Sequence, residues 1–281
     1  MERTPEYYLT KGLDMVVNGV AAVIFLCCLA YAGYALWDNW SILDGSENAL
    51  KTMVEYKPDE AEGLSYNFSQ LMAMNPDVCG WIVMDHTGID YPIVQGEDNF
   101  EYLDKDALGN PEISGSIFLD WQNNRKFTDP YMVLMGHHMQ AGKMFGDLDK
   151  YSDETFFRKN TTGKIYLLDR VLYLETAAFL TVDAYDKYIY RTQWDNVSER
   201  QELLKRIYEQ AQYTRGEELT TEDQMVALST CSTSGTNARH VLICRIVHSS
   251  ASEEGSGKVY VGTENEYKRR QVCVEKVKCG W

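Results

Sequence analysis

The sequence predicts a mainly β domain, a barrel or a sandwich, lying beyond a single membrane-spanning helix. Eight short runs rich in Val, Ile, Tyr and Leu follow one another from Asn75 onward, with Gly88, Gly115, Gly142, Gly146 and Gly163 in or beside the breaks. Ahead of them, the apolar stretch Val16 to Trp37 has no charged residue. A composition of 44% hydrophobic and 12% aromatic residues in 281 is that of a folded chain with one main core.

In chain order, residues 1–15 form a short tail and 16–37 the transmembrane helix. The run VVNGVAAVIFLCCLAYAGYALW has only Asn18 as a strongly polar member. At about 1.5 Å per residue it reaches about 33 Å, enough for a hydrocarbon layer of about 30 Å. The competing reading is a cleaved signal peptide, whose apolar part is usually about 7 to 15 residues long. This run is longer, and Tyr34, Trp37 and Trp40 at its end suit a membrane interface. Arg3 and Lys11 precede it, whereas the first lysine after it is Lys51. Basic residues set orientation, so the tail is expected in the cytoplasm and everything from Asp38 outside the cell.

Residues 38–74 predict two helices forming a stalk or lid. Leu50, Met53, Val54 and then Leu64, Phe68, Leu71 and Met72 fall near helical spacing, interrupted around Lys57 to Glu62. Residues 75–281 hold the β-type runs GWIVM, IDYPIVQ, SIFLD, YMVLMGHH, GKIYLL, VLYLETAAFLTVDA, MVALSTC and RHVLICRIV. One helix interrupts them, Asn196 to Tyr213, with Val197, Leu203, Leu204, Ile207, Tyr208 and Ala211 as an apolar stripe on a charged surface. The acidic segment Gly216 to Asp223 reads as a solvated loop.

A net charge of −15 excludes a surface built to hold nucleic acid phosphates. Seven cysteines form no regular disulfide framework and no CxxC pair, and no HExxH is present, so neither a metal nor another cofactor is expected. Cys27 and Cys28 lie in the apolar run, and Cys244, in VLIC, reads as a small buried hydrophobe. Cys273 and Cys279 either bridge each other in an oxidising exterior or stay as thiols, and the sequence leaves both open.

The chemistry is expected at Cys231. The segment MVALSTCSTSGTNARHVLICRIV reads as a strand, a polar turn and a second strand, and folding it brings Arg239 back beside Cys231. A thiol with its ordinary pKa of about 8.5 is a weak nucleophile, and a neighbouring cation or base favours the thiolate. Arg245 is further up the same strand, about 20 Å from Arg239 at about 3.3 Å per residue. His137 and His138 follow YMVLMG at a strand end; with the strand continued through them they point to opposite faces, so at most one faces Cys231. By the same alternation His240 points away from Arg239. His86 and His248 carry no such context.

These residues resemble a known family, the sortases, cysteine transpeptidases of the Gram-positive surface, and within them class B. The resemblance rests on LSTC with Cys231, the arginine that opens the next strand, and the GHHM segment. It continues through NPDVCGWI, IDYPIVQGEDNFEYL, GSIFLDWQN and MFGDLDKY, and thus over most of Asn75 to Val247. The helix before the cysteine-bearing strand resembles the class B insertion. The resemblance implies an eight-stranded sortase β-barrel and a substrate class, secreted proteins bearing a C-terminal sorting motif of the Asn-Pro-x-Thr-Asn type. It implies that Cys231 attacks the threonine carbonyl to give a thioacyl enzyme. His137 would protonate the departing amine, and Arg239 would hold the developing oxyanion, with the Ser232 N–H as a second donor. Substrate specificity is expected in the loop and helix around 183–213. The acyl acceptor is a peptidoglycan precursor amine or, in pilin-joining relatives, a pilin lysine. Seven residues separate Cys231 from Arg239, a turn whose length varies across the family.

A different class of reading is a non-catalytic anchored binding protein with a structural Cys231. Simple proteolysis with water as acceptor would use the same residues.

Overall fold

The computed structural model describes residues 5–59, 64–194, 196–231 and 237–251. The chain forms two compact units, Met1–Gly45 and Ser46–Trp281. Helix α1, Pro5–Met53, contains the segment Lys11–Asp38, which is long and apolar enough to cross a membrane. Of the two helices expected in the stalk segment, the first continues α1 as far as Met53, followed by a 3-10 turn Val54–Tyr56, and the second is α2, Leu64–Met74.

Nine strands follow among the described residues: β1 Val78–Met84, β2 Asp90–Val94, β3 Ile117–Leu119, β4 Tyr131–Gly136, β5 Thr162–Tyr166, β6 Arg170–Asp183, β7 Ala211–Thr214, β8 Met225–Cys231 and β9 Ala238–Ala251. Helix α3, Glu154–Lys159, precedes β5, and α4, Val197–Gln210, follows β6. The sheet order is β5-β1-β2-β3-β4-β8-β9-β6-β7, and β5 also pairs with β6. That pairing closes eight strands into a barrel and leaves β7 outside it, on the edge of β6. All eight β-type runs of the sequence are the eight barrel strands.

The interior can be recognised by its contributors. One core cluster takes Ile82, Ile93, Leu119, Leu134, Ile165, Leu174, Leu228 and Leu242, one side chain from each barrel strand. Alternate residues face outward, as the period of two requires. Val133, Ala178, Ala227 and Ile243 form an outer cluster covered by Leu203, Leu204 and Ile207 of α4. On another flank, Trp81, Val94 and Phe118 meet Phe68 and Leu71 of α2. The long strand β6 serves both faces because a register shift between Thr176 and Ala178 reverses its alternation, so that Leu174 and Phe179 both turn inward.

Helix α4 begins where Asn196 accepts the N–H of Glu199 through its side chain, a capping bond. It ends at Gln210, three residues short of the sequence expectation. The segment Ala211–Thr214 instead pairs with β6, Phe179 opposite Tyr213. Ala211 continues the helical stripe, so periodicity alone carries the helix into this segment.

Candidate active site

Three adjacent strands carry the candidate residues, in the order β4-β8-β9. β4 runs parallel to β8, and their last pairs are Met135 with Ser229 and Gly136 with Thr230. His137 and Cys231 are the next positions on each strand, so they stand at the same level. β9 runs antiparallel to β8, and the last pair of that register is Cys231 with Arg239. His137 and Arg239 therefore flank Cys231 on the two neighbouring strands. Ser232 lies outside the described residues.

Strand alternation sorts these positions by face. His137 follows Val133 and Met135, and Arg239 precedes Val241 and Ile243, all of which belong to the outer face beneath or beside α4. In the register, Cys231 has the parity of Ala227 and Ser229. His138 and His240 have the opposite parity, and both meet Asp149 on the inner side.

The His137 ring is held in place from two directions. Its Nε2 lies 2.7 Å from the Leu103 carbonyl oxygen, and a carbonyl only accepts, so Nε2 carries the hydrogen. The Phe145 N–H donates to the His137 carbonyl at 3.1 Å and ties down the backbone. Gly115 packs against the ring at φ 58°, where a Cβ would sit 2.6 Å from the Leu103 oxygen and 3.0 Å from His137 Cδ2. Only glycine combines that backbone angle with so close an approach. Arg239, half-buried, donates from Nη1 to the Ala238 carbonyl at 3.2 Å.

Much of the segment 183–213 is docked on the same outer face. Tyr131 donates its hydroxyl to the Ile189 carbonyl at 2.8 Å, and the Tyr190 hydroxyl is 2.8 Å from Ser229 Oγ, two residues before Cys231. Burial pushes the Tyr131 hydroxyl far above its ordinary value, so it stays a neutral donor. Asp186 accepts the N–H groups of Tyr188 and Ile189 and two bonds from Arg206 of α4 at 2.8 and 2.7 Å. Burial acts to raise its carboxyl, but these bonds and the guanidinium charge outweigh it and hold the group below the usual carboxylate range. Tyr185 and Tyr188 remain exposed, and the Arg191 guanidinium lies 4.8 Å from the Trp194 ring centre.

The other candidates fall elsewhere. His86 is exposed in the β1–β2 turn, and His248 pairs with Tyr173 in the β9 ladder. Burial pushes the Cys79 thiol up to about 12 and the Cys244 thiol higher still, which suits structural thiols. Cys273 and Cys279 lie outside the described residues. Arg245 donates to the Glu217 and Glu218 carbonyls at 3.0 and 2.9 Å, securing the acidic loop. Sequence reasoning missed Leu103, whose contribution is a backbone carbonyl that any residue would supply. It also missed Asp149, although that residue stands in the MFGDLDKY segment.

The family model for the Sortase domain matches residues 82–247, the barrel and its insertion together. The chain belongs to the sortase family. Sortase B of Listeria monocytogenes is 30% identical over 235 residues, which cover 80% of this chain and 91% of that protein. The Staphylococcus aureus sortase B–substrate complex superposes with a TM-score of 0.62 at 26% identity, covering 72% of this chain and 92% of that one. A Streptococcus pyogenes class B sortase involved in pilus biogenesis gives a TM-score of 0.57 at 34% identity, covering 64% and 97%. These relatives place the chain in class B. Sortases are cysteine transpeptidases, and in this class B sortase Cys231, the described cysteine that ends a barrel strand, stands between His137 and Arg239 in register.

Proposed function

We propose that this class B sortase cleaves a C-terminal sorting motif of the Asn-Pro-x-Thr-Asn type after its threonine. It then transfers the acyl group to a peptidoglycan precursor amine. The observation that carries the reading is the register of β4, β8 and β9, in which His137, Cys231 and Arg239 stand abreast. In the first half-reaction, the Cys231 thiolate attacks the threonine carbonyl carbon, a C–S bond forms, the scissile C–N bond breaks, and His137 gives a proton to the departing amine. In the second, the acceptor amine attacks the thioacyl carbon, the C–S bond breaks, and the amine proton passes to His137. Arg239 stabilises the oxyanion in both steps, with the Ser232 N–H as a second donor.

The docked segment 183–213 is the substrate-recognising wall, since it borders β8 through Tyr190 and Ser229. Residues 1–15 are the cytoplasmic tail, 16–37 the membrane span, 38–74 the stalk, and 75–281 the extracellular catalytic domain of a single-pass membrane protein. The apolar segment of α1 supports that arrangement. A second reading, a polymerase that joins pilin subunits through a lysine amine, is favoured by the likeness to the pilus-associated Streptococcus pyogenes enzyme.

The test is product analysis by mass spectrometry. Full-length enzyme in detergent is given a sorting-motif peptide with a wall-peptide amine and a pilin-type lysine in competition. A thioacyl adduct on Cys231 and a wall-peptide conjugate are expected. A lysine conjugate would select the second reading, and hydrolysis alone would make the protein a protease. Persistent absence of adduct and cleavage across a panel of motifs, together with slow labelling of Cys231 by a methanethiosulfonate reagent near neutral pH, would make it a non-catalytic binding protein.

A further inference from the structure

Each of the two residues that flank Cys231 is followed in sequence by a histidine: His138 after His137, His240 after Arg239. Alternation turns these second histidines to the inner face of the sheet. His240 is buried there, its ring centre 5.2 Å from that of Phe179. Both meet one carboxylate. His138 Nε2 is 2.7 Å from Asp149 Oδ2, and His240 Nδ1 is 2.7 Å from Asp149 Oδ1. A carboxylate only accepts, so each ring presents an N–H to its own oxygen and the group is used from both sides.

Asp149 belongs to neither strand. It comes from the 3-10 turn Gly146–Ser152, which the chain reaches by folding back after β4. That return is tightly built. His138 bridges Met144 across it, and at Gly146 a Cβ would sit 2.2 Å from the Met139 carbonyl oxygen. Asp147, buried beside it, accepts the Gly88 N–H and the Lys150 ammonium, each at 2.7 Å. The carboxylate of Asp149 therefore stands on a fixed support.

β4 and β9 are not bonded to each other, because β8 lies between them. With neighbouring strands about 4.8 Å apart, their ends are about 10 Å from one another, which two imidazoles sharing one carboxylate can span. We propose that Asp149 is a positioning residue: through His138 and His240 it ties β4 to β9 behind the end of β8 and thereby sets the separation of His137 and Arg239 across Cys231. The inference rests on the roles proposed above for those three residues. Its leverage is large because a displacement of about 1 Å at a reacting centre costs about 100-fold in rate.

The test uses full-length enzyme in detergent and two readouts. In Asp149→Ala, kcat for sorting-peptide cleavage should fall about 10- to 100-fold with KM within about two-fold, since alignment rather than binding is lost. Asp149→Asn, which can accept from one imidazole and donate to the other, should recover most of that loss. Independently of turnover, histidine-selective 15N NMR should show the His137 signals broadened or doubled in Asp149→Ala and single in wild type. If Asp149→Ala does not fold, His138→Ala removes only the β4 arm and is read the same way. An unchanged kcat in a turning-over enzyme, or an unchanged His137 signal, overturns the inference. Wild-type enzyme that turns over no sorting peptide would instead sink the proposed function, and the positioning role would then be decided by the His137 signals alone.

Discussion

Arg239 stands directly opposite Cys231 in the antiparallel pairing of β8 with β9, at the last rung of that register. Directly opposed residues on an antiparallel pair share a face and approach within about 5.5 Å at Cα, so the cation is built into the ladder that carries the thiol. A planar guanidinium can present two N–H groups to one oxyanion, which an ammonium cannot. Arg239→Lys and Arg239→Ala should both lower kcat for peptide cleavage about 100- to 1000-fold, with a smaller change in KM. Steady-state kinetics on a sorting-motif peptide checks this, and near-wild-type turnover by the lysine variant would count against the fork.

Gly115 is the residue at which local backbone and the candidate active site meet. An alanine there must adopt φ near 58° and press its methyl against the Leu103 carbonyl, the acceptor of the His137 ring. Backbone oxygens do not swing aside as a side chain would. Gly115→Ala is expected to cost about 1 to 3 kcal/mol of stability and to lower kcat as the ring loses its acceptor. Thermal unfolding alongside kinetics measures both, and an unchanged melting point would contradict the packing described.

Asp186 predicts a pH dependence. Its carboxyl titrates lower in the folded chain than in the unfolded one, where the value is about 3.9. The unfolded state therefore binds the proton first, and the stabilisation is present above about pH 4 and lost as pH falls through the folded value. Asp186→Asn should be less stable than wild type at pH 7 by about 1 to 3 kcal/mol, with the difference shrinking in acid. Denaturant midpoints at pH 7 and in the acid range decide it. A gap that stays constant would mean the charge of Asp186 is immaterial.

The buried thiols give a labelling pattern. Burial holds Cys79 and Cys244 protonated at neutral pH. Neither should react with iodoacetamide in the folded enzyme, and both should do so in guanidinium. Peptide mapping by mass spectrometry reads the sites, and early labelling of Cys244 would mean the barrel opens there.

The sequence carried the barrel strands well because each is a compact apolar run bounded by turn residues, from GWIVM to RHVLICRIV. It reads β7 as helix for a physical reason: Ala211 extends the stripe of α4, and only the open edge of β6 makes the segment a strand. The continuity of α1 through residues 38–53 was equally hidden, since polar positions there fit helix and break alike. At the site, strand alternation in the sequence alone separates His137 from His138 and Arg239 from His240. Contributions made by backbone atoms, such as the Leu103 carbonyl, leave no mark in side-chain identity. Asp149 had a visible letter but no visible partner, because its two histidines are 11 and 91 residues away.

The two doublets, His137-His138 and Arg239-His240, make the site sensitive to reading frame along the strand. A one-residue insertion or deletion within β4 or β9 would exchange the faces of a whole strand segment. In β4 such a slip would still offer an imidazole to the chemical side. In β9 it would replace the guanidinium with an imidazole and drive a permanent cation toward the apolar interior, so β9 tolerates no change of length between its core and Arg239.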